Sequence, residues 1–402
     1  MKKTLIALGI LAALPSLACS AEVSIYGKVD VGLAFTNIDP GIDGVDSKSN
    51  LSMQSGQTAG SRVGMTGFEE LGNGNKVGFI LETGFNVDDG SLGQGGRIFG
   101  RQALLFIDGA YGNIKFGKMG ALTSGFPSTG LFGGNMSPFA VGLGEVPGHR
   151  YLYSTEDAWP LDNTITYASP KWAGWQVMLQ YSMGTDTRVK DAIENESSID
   201  RFMAAGVHFD NKQTEFNFVV DSTNFRSYGS GDAYEDTPGD PDDSLRFTVG
   251  VRHDLGFMKL YAGGQYFKDA RNFVQDPGQF YIGIGRHGDP HKTGATPFLD
   301  AHNAKDGFGL NLGIDYPAFG GTWKAQVGYM DAEFSSNSNL KMKRWFVSAG
   351  YWYDFSKRTT LYSGIGFMQD KLEGTDGTKA HDYDQFDDAN VITASLGLVH
   401  NF

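Results

Sequence analysis

The last thirteen residues, "NVITASLGLVHNF", place Ile392, Ala394, Leu396 and Leu398 on one parity and Thr393, Ser395, Gly397 and Asn401 on the other. Alternation at period two marks a strand with one apolar and one polar face. The same division recurs in "VSIYGKVDVGL", where Val23, Ile25, Val29, Val31 and Leu33 stand opposite Ser24, Tyr26, Lys28 and Asp30. It returns with Phe308, Leu310, Leu312 and Ile314 against Asn311 and Asp315, and with Trp323, Ala325, Val327 and Tyr329 against Lys324, Gln326 and Gly328. The pattern predicts sixteen strands, near 22–36, 58–70, 75–86, 98–109, 112–119, 161–169, 174–184, 200–210, 212–223, 244–254, 257–267, 306–317, 321–333, 341–354, 358–370 and 390–402.

The separators decide between architectures. Short ones, such as "GNGN", "AYG", "PKWAG" and "AFGG", are built of turn formers and alternate with long ones near 37–57, 87–97, 120–160, 185–199, 224–243, 268–305, 334–340 and 371–389. An even strand count with alternating short and long connections is what a transmembrane antiparallel β-barrel requires, both termini lying on the short-turn, periplasmic side. A soluble sandwich would bury its apolar parity against a second sheet, and would need neither such long strands nor such regular separators. Aromatics crowd strand ends in "YWYDF" and "KWAGW", where an aromatic girdle and ordinary strand composition both account for them.

Composition sharpens this reading. The 56 glycines follow no triplet period, so collagen is excluded and a turn-rich all-β chain is favoured. Lys2 and Lys3, an apolar run from Leu5 to Leu14, and the small residues Cys19, Ser20 and Ala21 predict a signal peptide over 1–21. The alternative is a lipoprotein cut before Cys19, which Ser16, Leu17 and Ala18 fit poorly. Cleavage after Ala21 removes the single cysteine, so no disulfide is available to the mature chain, 22–402, read as one barrel domain. The chain carries a formal charge of −13, which argues against nucleic acid as a partner.

"SRVGMTGFEELGNGNKVGFILETGF" (61–85), "FGRQALLFI" (99–107), "DNTITYASP" (162–170), "SKRTTLY" (356–362) and the terminal "GLVHNF" resemble the trimeric general porins of Gram-negative, betaproteobacterial type. The matching blocks run in order over nearly the whole mature chain. The resemblance implies a homotrimer in the outer membrane, in contact with lipopolysaccharide, that passes small hydrophilic solutes and ions by passive diffusion. It also implies that the long third loop, 120–160, folds into the lumen as a constriction. The same resemblance makes Phe402 look like a tag read by the outer-membrane assembly machinery.

A pore sorts solutes by its width and by the charges at its narrowest part. Parity alone turns Lys28, Asp30, Arg62, Glu82 and Lys115 inward, along with Arg252, Lys259 and Lys324. The resemblance singles out Arg62 and Arg101 as members of a basic ladder. A further arginine of that ladder corresponds only loosely to Arg150, and Lys118, at the strand end before the loop, is its alternative. Opposing carboxylates are expected from the loop itself, at Glu145, Glu156 and Asp157. A cationic wall facing an acidic loop predicts a weak anion preference. An inward charge in a wide pore is also simply a solvated side chain.

Other chemistry fares worse. "GIGRHG" (283–288) matches a dinucleotide fingerprint by letter, but Asp289 and Pro290 follow it where a helix would have to start. His287, Asp289 and His291 are spaced like a loose loop cluster, so no metal site or cofactor is predicted. Acidic loops at 232–244 and 371–388 lack the spacing of a calcium loop and read as solvated surface. No nucleophile–base motif points to an enzyme. A substrate-specific channel, and a barrel acting mainly as an adhesin or structural protein, remain the alternatives to a general pore.

Overall fold

The computed structural model describes residues 22–41, 46–139, 143–144, 146–154, 160–189, 191–227, 242–271, 304–335, 337–375 and 387–402. Every ladder is antiparallel, and the last strand, β17 (Ala389–Asn401), pairs with the first, β1 (Glu22–Asp39), from Asp39–Asn390 to Lys28–Asn401. The sheet is therefore a closed barrel without an edge, the form in which a sheet satisfies its backbone inside a bilayer.

Seventeen strand segments fill sixteen positions in the wall. The outer half of β1 pairs with β2 (Lys48–Ser55) and its inner half with β3 (Arg62–Gly72), so β2 and β3 share one position. The remainder are β4 (Asn75–Gly84), β5 (Gln102–Gly109), β6 (Gly112–Met119), β7 (Leu161–Ala168), β8 (Trp175–Ser182), β9 (Arg201–Asp210), β10 (Thr214–Asn224), β11 (Ser244–Asp254), β12 (Lys259–Ala270), β13 (Lys305–Ala318), β14 (Gly321–Phe334), β15 (Asn337–Ser356) and β16 (Thr359–Glu373).

The sequence pattern is corrected in three places. Residues 48–55, expected within a loop, form a strand whose Leu51 and Met53 are exposed on the outer face. Their signal is short and diluted by serines. The connection expected over 334–340 shrinks to two residues, because β14 runs to Phe334 and β15 starts at Asn337. One long separator is thus a tight turn. Third, the inner face is not uniformly polar: Met178, Phe202, Phe267, Met330, Met342, Phe346, Met368 and Val391 point inward and are buried. They form one apolar cluster with Leu122, Leu131, Phe132, Met136, Tyr151, Leu152 and Tyr153 of the connection between β6 and β7.

The outer face carries the expected lipid-facing row, including Leu396 and Leu398 of β17 and Leu310 and Leu312 of β13. Aromatic pairs mark both ends of the strands. Trp323 and Tyr351 meet at 5.0 Å near the β13–β14 turn, and Trp345 and Phe367 at 5.2 Å toward the opposite end.

Asp30 explains both the break between β2 and β3 and the closing of the seam. Its fully buried carboxylate accepts from Thr58 N (2.8 Å), Thr58 Oγ1 (2.5 Å) and Ala59 N (3.1 Å), which draws the 56–61 bend inward. The other oxygen accepts from Tyr362 Oη at 2.6 Å, reaching from β16 across β17. Gly397 stands directly between, paired with both Gly32 and Tyr362, and a Cβ there would collide with the Tyr362 hydroxyl. We expect Gly397→Val to lower barrel stability by about 2–4 kcal/mol, the combined scale of overpacking and of losing a hydrogen bond to a charged group. Tyr362→Phe should cost less, and a heat-modifiability gel of the folded barrel measures both. Equal stability of Gly397→Val and the parent would refute the account.

Candidate functional site

Register places three cations on one stretch of inner wall. Lys28 pairs directly with Arg62 across β1 and β3, while Tyr26 pairs with Gly64, which in turn pairs with Glu82 on β4. Gly64 has no side chain, so the Tyr26 ring crosses it and donates its hydroxyl to Glu82 Oε2 at 2.9 Å. Arg101, just ahead of β5, donates from Nε to Glu82 Oε1 at 2.7 Å, and Arg62 Nε lies 3.5 Å from Glu82 Oε2. Glu82 is 1% exposed, and it is ringed by these donors. Arg62 and Arg101 thus flank one carboxylate, and Lys28 lies in the field of both arginines and of Asp30. The Arg101 guanidinium lies 4.8 Å from the ring centre of Phe126, in the β6–β7 connection.

That connection, in its described residues between 120 and 154, is held on inward-pointing side chains of the wall. Leu122 N donates to Gln180 (3.0 Å, β8), Leu131 O accepts from Asn217 (2.5 Å, β10), and Met136 O accepts from Asn311 (2.8 Å, β13). Ser137 donates to Gln326 (2.7 Å, β14), and Gly144 N to Gln57 O (2.7 Å) in the 56–61 bend. The chain then returns. Pro147 O accepts from Ser348 (2.6 Å, β15), Tyr151 O from Arg344 (2.7 Å, β15), and Ser154 N donates to Gln265 (2.8 Å, β12). Buried backbone groups must find partners, and each of these polar wall residues supplies one.

The other expected residues fall elsewhere. Arg150 stays with its own segment, donating to Gly144 O and, at 3.3 Å, to Tyr151 Oη, with its guanidinium over the Tyr151 ring. Lys118 does not join the Lys28 cluster. A register shift between Gly117 and Met119 follows the parity of the exposed Phe116, and the Lys118 ammonium reaches Pro160 O (2.5 Å) and Asp162 (2.6 Å) instead. Asp162 also takes Arg97 (2.6 and 2.8 Å) and Thr187 N and Oγ1 (2.9 and 2.8 Å), tying the β4–β5 and β8–β9 connections to the start of β7. Lys28 is where parity put it. Glu145, Glu156 and Asp157 lie outside the described residues.

Sequence reasoning missed Arg246 and Arg344. Both are fully buried on the inner face, Arg246 against Asp221 (2.6 Å) and Arg344 against both oxygens of Asp370 (2.6 and 2.9 Å). Their signal was present: each holds an inward position in a clear alternation, "LRFTVG" and "KRWFVS".

His149, in a turn of the same connection, packs 5.8 Å from the Tyr153 ring. Burial first, and Arg150 second, hold its imidazole down at about 4. The folded value lies below the ordinary one near 6.5, so the packing is fully present above that value and weakens as pH falls through 6.5 towards 4, because the released turn takes up a proton that the packed one refuses. Open-channel noise should therefore rise as pH drops across that window, and His149→Gln should flatten the rise. An identical pH profile in His149→Gln would exclude this histidine as the source.

Comparison with known proteins agrees with this architecture. A family model described as Gram-negative porin matches residues 4–372. The chain is similar to an outer membrane porin protein of Bordetella pertussis, 26% identical over the whole of both chains, and to the major outer membrane protein P.IB of Neisseria gonorrhoeae, 33% identical over 92% of this chain and 94% of that one. Among solved structures it resembles an anion-selective porin from Comamonas acidovorans, with a TM-score of 0.62 at 21% identity, covering 95% of this chain and all of the other. A trimer form of OmpT from Vibrio cholerae has a TM-score of 0.56 at 14% identity, covering 95% and 99%. A closed sixteen-position barrel with an apolar outer face, matched along nearly its whole length by one family, leaves a single assignment: the chain belongs to the Gram-negative porins, channel proteins of the outer membrane.

Proposed function

We propose that this porin passes small hydrophilic solutes and ions by passive diffusion, with a weak preference for anions. The observation that carries the reading is the convergence of Lys28, Arg62 and Arg101 on one stretch of inner wall, with both arginines on the carboxylate of Glu82 and Lys28 paired across the strands with Arg62. The β6–β7 connection is the constriction. Most of its described wall hydrogen bonds go to β8–β16, with Gly144 on Gln57 and Ser128 on Gln102 as contacts on the other side, which supports an aperture between it and the β1–β5 wall, where those cations stand. Low-dielectric walls focus the field of such a cluster across the narrow part and raise the local concentration of anions. The anion-selective porin of Comamonas acidovorans shares the fold and supports the same direction of selectivity. Reversal potentials of the purified channel in a potassium chloride gradient test this: chloride should be favoured, and a clear cation preference would end it.

Residues 1–21 act as the export signal, the mature chain assembles as a homotrimer in contact with lipopolysaccharide, and Phe402 serves as the mark read by the assembly machinery. The trimer form of a protein with this fold supports the first oligomer to look for. Migration as a heat-labile trimer in mild detergent checks it, and a single barrel under those conditions would remove it.

A further inference from the structure

We infer that Arg344 and Arg246 are positioning residues for the channel, each using a buried ion pair to fix the return limb of the β6–β7 connection and so the width of the aperture. The inference rests on the reading of that connection as the constriction.

The two arginines are built alike. Arg344, on β15, spends Nε and Nη2 on the two oxygens of Asp370 of β16 and aims the remaining nitrogen, Nη1, at Tyr151 O, 2.7 Å away. Arg246, on β11, spends Nε and Nη2 on Asp221 of β10 and aims Nη1 at Ser154, 3.5 Å from both its carbonyl and its hydroxyl oxygen. In each case a neighbouring strand supplies the carboxylate, and the described residues of the limb supply uncharged oxygens, the Tyr151 carbonyl and the carbonyl and hydroxyl of Ser154. The carboxylate orients the guanidinium, and the guanidinium orients the limb. A planar fork presents its five donors in fixed directions, so it can hold a carboxylate along one edge and a carbonyl at the other, a geometry that the rotatable donors of an ammonium do not fix.

The two grips bracket the four residues Tyr151 to Ser154 from opposite ends. Between them Leu152 is wholly buried and Tyr153 donates to Asn311. A hydrophobic lining alone is non-directional and lets a strand of chain slide along it; the fork contacts are directional and set its register. Among the described residues, the forward limb's side-chain hydrogen-bond partners on the wall, Gln102, Gln180, Asn217, Asn311 and Gln326, are neutral amides.

Removing Arg344 alone would strand Asp370 in the interior, so the test replaces the pair. Exchanging a buried ion pair for apolar residues of similar volume is often tolerated by the fold. Arg344→Met with Asp370→Leu, in the full-length protein reconstituted in planar bilayers, should keep heat-resistant barrels while the steady open-channel current breaks into fluctuating sub-levels and the mean conductance rises. Folded barrels with a current trace indistinguishable from the parent would overturn the inference. If the double variant does not accumulate, Arg344→Lys decides: it keeps a positive charge beside Asp370 but loses the planar fork that fixes both Asp370 oxygens and Tyr151 O in one geometry. Added sub-levels support positioning, and a parental trace refutes it. The channel reading fails separately, on the reversal potential of the unmodified protein, so the two outcomes are distinguishable.

Discussion

Replacing Arg62 and Arg101 together with glutamine should remove the channel's chloride preference, and replacing Glu82 with glutamine should increase it. The cluster holds Arg62 and Arg101 against Glu82 with Lys28 beside them, so the first change takes away two of the three cations and the second takes away the charge that opposes the arginines. A unit charge about 7 Å from an ion in a water-like medium contributes about 0.6 kcal/mol, so two contribute about 1.2 kcal/mol before screening. Salt with a Debye length of about 8 Å reduces this. A shift of about three- to eightfold in the chloride-to-potassium permeability ratio follows for the double arginine variant. Glu82→Gln should move the ratio the other way by about half that free energy. Opposite signs matter here, because a channel that is merely damaged has no reason to become more selective. Reversal potentials that move in the same direction for both variants, or not at all, would show that the cluster does not face the permeating ions.

The outer face of this barrel was legible in the sequence because lipid imposes one demand on every strand. Leu310, Leu312, Leu396 and Leu398 stand at alternating positions whatever lies inside. The inner face answers to two environments. Along β1 to β5 it keeps charges such as Lys28 and Arg62, whereas along β8 to β16 it meets the β6–β7 connection and carries Met330, Met342, Phe346 and Met368. Which environment a strand meets depends on where a distant segment lies down, and no local pattern encodes that. Arg101 came from resemblance alone: the expected strand 98–109 contains it, but its parity there is that of the exposed Leu105, and β5 begins only at Gln102. The partners of Lys118 were not legible for a related reason: the shift between Gly117 and Met119 is a tertiary irregularity that counting residues cannot anticipate. Arg246 and Arg344 were overlooked because an inward arginine reads as a solvated one until its carboxylate is seen on the next strand. Asp30 was placed inward correctly, but its four hydrogen bonds to the 56–61 bend and Tyr362 belong to the closed barrel.

Deleting Phe402 should sharply lower the yield of assembled barrels while leaving the conductance and selectivity of those that insert unchanged. The terminal residue exchanges backbone hydrogen bonds with Gly27, N to O at 3.1 Å and O from N at 3.0 Å, and so fastens the last rung of the seam between β17 and β1. Its ring lies over Gly27, where a Cβ would strike it, and stays about half exposed on the outer face. Two hydrogen bonds at about 0.5–1.5 kcal/mol each, with a cross-strand aromatic contact of about 0.2–1 kcal/mol, make the rung worth about 1–4 kcal/mol. That loss falls on closure, because Lys28 and the strands beyond it pair without Phe402. The proposed aperture, between Arg62, Arg101 and the β6–β7 connection, is separate from the terminal rung, whose described contacts are with Gly27, so the inserted channel should keep its properties. Phe402→Ala separates the two roles of the residue. It retains the backbone pair, so refolding into detergent should be close to that of the parent, while assembly in cells should fall nearly as far as with the deletion if the ring is what the machinery reads. Equal refolding and equal cellular assembly for Phe402→Ala would confine the terminal residue to the seam, and altered conductance in either variant would contradict the separation of seam from pore.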